Sequence, residues 1–70
     1  MMSPTLFVMV NPNDQRSAIG YDTWKLETLL QYNEDALAAG TVPIWIPIAT
    51  VANATESRRF IEARLHALRG

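Results

Sequence analysis

The stretch that decides the fold is Thr41-Val42-Pro43-Ile44-Trp45-Ile46-Pro47-Ile48, an apolar segment that contains two prolines. Alternate residues of a strand direct their N–H groups to opposite edges, so Pro43 and Pro47 remove donors from the same edge. A central strand could not tolerate this loss, whereas an edge strand can. The segment therefore predicts an edge strand over Val42–Ile48, with the isoleucines on one face and Trp45 on the other.

Three other segments have regular patterns. Residues 5–10 form a continuous run of β-forming residues, which predicts a strand buried on both faces. Leucines at three- and four-residue spacing predict a helix over residues 23–39 that ends at Gly40. Asn53-Ala54-Thr55-Glu56 has the spacing of a capping box, so a second helix is expected over residues 54–68.

A polar residue, Asn33, interrupts the leucine stripe of the first predicted helix. Two interpretations remain open. Its amide could bond to a nearby loop or helix end, as buried polar groups usually do. Alternatively, it could fix the register of a helix–helix interface.

This order of elements predicts an α/β unit of type β-α-β-α, with α+β as the alternative class, in a single domain over residues 1–70. If the two strands are parallel neighbours, the first helix crosses over between them. Phe7, Met9 and Trp45 then share a sheet face that little chain remains to cover. A two-stranded sheet with a bare apolar face is not stable alone, so we expect this face to be an interface unless residues 11–21 fold back over it.

Composition narrows the classes of function. The chain has 70 residues, 49% of them hydrophobic, a net charge of −1, no cysteine and one histidine. Disulfides and thiolate metal sites are therefore excluded, and near-neutral charge gives no global attraction to nucleic acid or anionic membranes. The longest apolar run is far shorter than the roughly 20 residues that span a bilayer. With no basic region at the N-terminus to indicate a signal peptide, the expected location is cytoplasmic.

No motif predicts catalysis, so we expect a protein that is not an enzyme and has no cofactor or metal. His66 is the only histidine and lies late in the second helix, where a surface position is expected. The best candidate for a ligand site is the polar loop after the first strand, in which Arg16 could hold an anion and Asp14 could act as a hydrogen-bond acceptor or as a base. Turn chemistry also explains this loop, which lacks a glycine-rich phosphate cradle.

The leading hypothesis is a small non-enzymatic protein-interaction module, either a subunit or a regulator. It would self-associate, most simply as a dimer, or dock on a larger protein through the apolar strand face. The apolar strand face supplies Phe7 and Met9, and tryptophan and arginine are the residues that dominate binding hot spots. The predicted interface residues are therefore Phe7, Met9, Trp24, Trp45, Arg58 and Arg59.

The alternative hypothesis is a nucleic-acid-binding accessory protein that uses the second helix. That helix carries Arg58, Arg59, Arg64 and Arg69, diluted by Glu56 and Glu62. Four arginines could supply a few salt-sensitive phosphate contacts.

Overall fold

The computed structural model describes residues 5–69, and in that range the chain forms a three-stranded antiparallel sheet and two α-helices. The elements are β1 (Leu6–Val10), β2 (Tyr21–Lys25), α1 (Leu26–Ala39), β3 (Ile46–Val51) and α2 (Ala54–Arg69). Two short 3₁₀ turns, Pro12–Asp14 and Ala18–Gly20, lie between β1 and β2. The predicted mixture of strands and helices is confirmed, in its α+β form.

The sheet has the strand order β2-β1-β3, and both edge strands are antiparallel to β1. The two strands expected from the sequence are therefore neighbours, but they pair antiparallel and not in the parallel arrangement considered above. Because β2 and β3 both run opposite to β1, they are parallel to each other, and α1 connects them while β1 lies between them. The apolar strand β1 takes the central position, where both of its edges are paired.

β3 is an edge strand, as the prolines predict, but it covers Ile46–Val51 rather than Val42–Ile48. The reason lies in the backbone before it. The N–H groups of Ile44 and Trp45 donate to the hydroxyl of Tyr32, at 2.7 and 3.1 Å, instead of to a strand. Only Pro47 remains inside the strand, opposite Met9 and next to an irregularity in the register.

β2 occupies residues that sequence reasoning assigned to the loop and to the start of the first helix. Pairing with β1 prevails over helix propensity here, with Tyr21 opposite Val10 and Lys25 opposite Leu6. α1 consequently begins at Leu26 and not at residue 23, and Lys25 gives it no side-chain cap. It ends as predicted at Gly40, whose φ of 69° lies in the left-handed region.

α2 covers one face of the sheet. Val8, Val10 and Tyr21 form a buried cluster, against which the helix packs three apolar side chains: Phe60, Ile61 and Leu65. The hydroxyls of Thr23 and Ser57 are hydrogen-bonded across the same interface. At the start of α2, Asn53 Oδ1 accepts from the N–H of Glu56 at 2.9 Å, which confirms the predicted cap, and Glu56 reaches back to the N–H of Ala52.

The opposite face carries Phe7 and Met9 together with Trp24, the residue paired with Phe7. Trp24 contacts Tyr32 of α1, so α1 lies on this side of the sheet. Met9 is 0% exposed. The expectation of a bare apolar sheet face is therefore wrong, because α1 lies on this side of the sheet and Met9 is buried within the chain itself.

Candidate interaction surface

The largest apolar feature left on α1 is a row of three leucines, which we call the leucine stripe: Leu26, Leu30 and Leu37. Their side chains are 50%, 57% and 81% exposed. With Asn33 among them, these positions follow one another at intervals of four, three and four residues. This is the spacing of the apolar seam of a coiled coil, which keeps side chains on one side of a helix.

The stripe does not face the sheet. The buried residues of α1 are Leu29 and Ala36, with Tyr32 half-buried between them. At about 100° per residue, this buried side is rotated by roughly a quarter turn from the leucine stripe. The first helix therefore has two apolar sides, and folding of a single chain uses only one of them.

Sequence reasoning placed Leu29 and the stripe on one face and regarded that face as a single surface. The spacing separates the two rows, since Leu29 and Ala36 lie seven residues apart, but it does not show which row is buried. What the sequence did not contain was the position of β2, which determines how α1 is rotated over the sheet. The surface was therefore missed as a candidate site.

Asn33 lies within the stripe and is half-buried. Among residues 5–69, its side chain takes no part in the side-chain hydrogen bonds that the fold makes, whereas its neighbours Gln31 and Tyr32 do. The interpretation in which its amide bonds to a nearby loop therefore has no support. An amide that carries both donors and an acceptor remains available in the stripe.

The charges on α1 are all of one sign. The helix contains Glu27, Glu34 and Asp35 and no lysine or arginine. Glu27 lies one residue after Leu26, and Glu34 lies four residues after Leu30. Both glutamates are exposed, and on a helix both lie along the side of the stripe that faces the solvent. The last turn also lacks a basic residue, so the partial negative charge of the helix C-terminus is not offset there.

The two tryptophans predicted as binding anchors contact each other. The ring centroids of Trp24 and Tyr32 are 5.0 Å apart in an edge-to-face arrangement, and those of Trp24 and Trp45 are 5.8 Å apart. The Trp24 indole N–H donates to Asp22 at 2.8 Å. Both tryptophans are half-buried, so this cluster fixes the segment before β3 against α1, while an additional contact with a partner stays a prediction.

The predicted ligand loop is held by its own backbone. Asn11 N–H donates to Gly20 O at 2.8 Å, and the Tyr21 hydroxyl donates to Gln15 O at 2.6 Å. Asp14 is half-buried and Arg16 is exposed. These bonds account for the loop as a connection between β1 and β2, and binding of a ligand there stays a prediction.

Arg58 and Arg59 are both exposed on α2, as is His66. The described residues contain no group of three or more histidine, aspartate or glutamate side chains placed to hold a metal ion. No helix within residues 5–69 is both long and apolar enough to cross a membrane.

Comparisons with protein-family models, with curated proteins and with solved structures find no match to this chain.

Proposed function

We propose that this protein is a small non-enzymatic interaction module whose docking surface is the leucine stripe of α1. The observation that carries the proposal is the exposure of three leucines on one side of one helix, from 50% to 81%, in a chain of only 70 residues. Single apolar residues scattered over a surface are ordinary, but exposed leucines aligned on one side of a helix are typical of a docking surface. The role would be that of a subunit or regulator in the cytoplasm.

Burial of the leucine stripe by a partner would be energetically favourable. Full burial of a leucine side chain is worth about 1.5 to 3 kcal/mol. Three leucines left half or more exposed therefore represent several kcal/mol of stabilisation that the isolated chain forgoes. A small domain has a low total stability, about 0.05 to 0.15 kcal/mol per residue, so an unused apolar row of this size is a large fraction of it.

The stripe replaces the strand face as the proposed docking surface. Met9 is fully buried by its own chain and is not available to a partner. Phe7, Trp24 and Trp45 are half-buried and could contribute only their remaining exposed parts. A helix presented by a folded scaffold is a common docking surface, since anchors at four- and three-residue spacing enter the groove of another helical element.

The test is the native mass of the tagged full chain in an extract of its own cells, compared for wild type, Leu30→Ser/Leu37→Ser and Glu62→Gln. We expect wild type and Glu62→Gln to sediment with a mass larger than one chain. The double variant is expected to sediment as a single chain while its circular dichroism spectrum stays that of a folded α+β protein. Wild type that sediments as one chain in the extract and after purification would refute the proposal.

Nucleic-acid binding is the second candidate function, and the adjacent exposed side chains of Arg58 and Arg59 are the observation that favours it. Exposed Glu62 lies on the same helix and weakens the positive field. The test is a filter-binding titration of the chain with a single-stranded oligonucleotide at several salt concentrations. Binding that weakens steeply with salt and is lost in Arg58→Gln/Arg59→Gln would support this function. No retention at low salt would exclude it.

A further inference from the structure

Resting on the proposed function, we infer that the partner bound by the leucine stripe is a basic amphipathic helix of another protein. The spacing of the leucine stripe indicates that this partner is an amphipathic helix. Leu26, Leu30 and Leu37 would contact the apolar seam of a partner helix, as in a short coiled coil. At 1.5 Å per residue, the 14 residues of α1 provide about 21 Å of helix, enough for two heptads of partner.

Charge decides the chemistry of the partner. On the solvent side of the leucine stripe, Glu27 and Glu34 occupy the positions that would face the residues beside the apolar seam of a bound helix. The other side of the stripe borders Leu29 and Ala36, which are turned to the sheet. A partner with lysine or arginine on the flank that meets the glutamates makes opposite-charge pairs, whereas an acidic partner places like charges together.

The same charges argue against a second copy of this chain as the occupant. In an antiparallel pair of α1 helices, the solvent flanks of the two helices meet, so Glu27 of one copy would lie beside Glu34 of the other. In a parallel pair, the glutamate flank would meet the sheet side of the other copy, where Leu29 and Ala36 are already buried. Neither arrangement supplies a cation, because α1 contains none. Lys25 lies just before the helix, beyond the first leucine.

Two further features of α1 fit this partner helix, the first through its charge and the second through its register. The C-terminal end of α1 has no basic residue of its own, so a cation from the partner would offset the negative end of the helix dipole. The Asn33 amide lies in the middle of the seam and takes no part in the fold's side-chain hydrogen bonds within residues 5–69. This amide would accept a hydrogen bond from a polar residue in the partner's seam, or donate one to it. Such a bond sets the register of the two helices.

The experiment uses the purified full chain and two synthetic amphipathic peptides of about three heptads with the same leucine and asparagine seam. One peptide carries lysine on its flanks and the other carries glutamate. Binding is followed by fluorescence anisotropy and by the NMR shifts of the α1 amides at low salt. We expect the lysine peptide to bind at least about tenfold more tightly than the glutamate peptide, with shifts that map to the stripe.

The variants separate a specific site from general attraction of a cation to an acidic protein. Leu30→Ser/Leu37→Ser should abolish binding of the lysine peptide. Glu34→Gln should weaken it by about two- to fivefold, as expected for one exposed charge pair. Glu62→Gln removes the same charge from the other helix and should leave the affinity unchanged.

In the peptide experiment, the inference would be overturned by no binding of the lysine peptide, by equal binding of both peptides, or by equal effects of Glu34→Gln and Glu62→Gln. A purified wild type that sediments as a dimer and is dissociated by Leu30→Ser/Leu37→Ser would assign the stripe to a second copy instead. If the peptides fail but the extract mass still depends on Leu30 and Leu37, this inference fails and the proposed function stands. If the extract mass is that of a single chain, both fail.

Discussion

Replacement of Gly20 by alanine tests the turn that precedes β2. A Cβ at this position would lie 1.6 Å from Asp14 O and 2.5 Å from Asp14 C. Real Cβ atoms essentially never approach another heavy atom within 3.0 Å, and the obstacle is backbone, so the loop has to move. That movement would pull on two hydrogen bonds of Gly20: Asn11 N–H to Gly20 O at 2.8 Å and Gly20 N–H to Ser17 O at 3.0 Å.

The expected magnitude follows from these contacts. Overpacking costs about 1 to 3 kcal/mol, and each hydrogen bond that is lost costs about 0.5 to 1.5 kcal/mol. Gly20→Ala should therefore lower the free energy of unfolding by about 2 to 6 kcal/mol if both hydrogen bonds are lost. In a domain this small, 1 kcal/mol shifts the melting temperature by about 4 to 8 °C, so a fall of at least about 8 °C is expected.

Gly40→Ala is the matched control. A Cβ at Gly40 meets nothing within 4 Å, so only the left-handed backbone opposes the substitution. That strain costs about 1 to 2 kcal/mol. Urea unfolding followed by circular dichroism should rank Gly20→Ala as the more destabilising variant. If Gly40→Ala is equally or more destabilising, the close approach of Gly20 to Asp14 is not what holds the loop between β1 and β2.

Two further substitutions test the contacts that position α1 and α2. Tyr32→Phe removes the hydroxyl that accepts hydrogen bonds from the N–H groups of Ile44 and Trp45. We expect it to lower the free energy of urea unfolding by about 1 to 3 kcal/mol and to shift the tryptophan emission to longer wavelength. An unchanged spectrum and stability would contradict the role of Tyr32. Ser57→Ala leaves the hydroxyl of Thr23 without its partner at the buried side of α2 and should lower the free energy of unfolding by about 1 to 3 kcal/mol. The double variant Thr23→Val/Ser57→Ala should lower it by less than the sum of the two single changes. Additive effects would show that the two hydroxyls are not coupled.

Much of the fold could be predicted from local signals. The central strand follows from a short apolar run, the end of α1 from Gly40, the start of α2 from Asn53 and Glu56, and the edge position of β3 from Pro47. Each of these depends on residues close together in the chain. Their physical causes, a missing N–H or a cap, act wherever the segment lies in the fold.

The parts that could not be predicted depend on contacts between distant residues. Tyr21–Lys25 forms a strand because it pairs with β1, and its own sequence is equally compatible with the start of a helix. Once β2 exists, it sets where α1 starts and which side of α1 meets the sheet. The exposed leucine stripe is a consequence of that rotation, so the candidate site could not be distinguished from core by spacing alone.

The most direct test of the account compares two leucines of α1 in the same chain. Leu29 is 7% exposed and Leu37 is 81% exposed. We predict that Leu29→Glu unfolds or severely destabilises the purified protein, whereas Leu37→Glu, which only adds a negative charge in the last turn of α1, lowers the unfolding free energy by no more than about 1.5 kcal/mol and removes association in sedimentation of the cell extract. Severe destabilisation by Leu37→Glu, or association that survives it, would contradict the assignment of the leucine stripe as the docking surface.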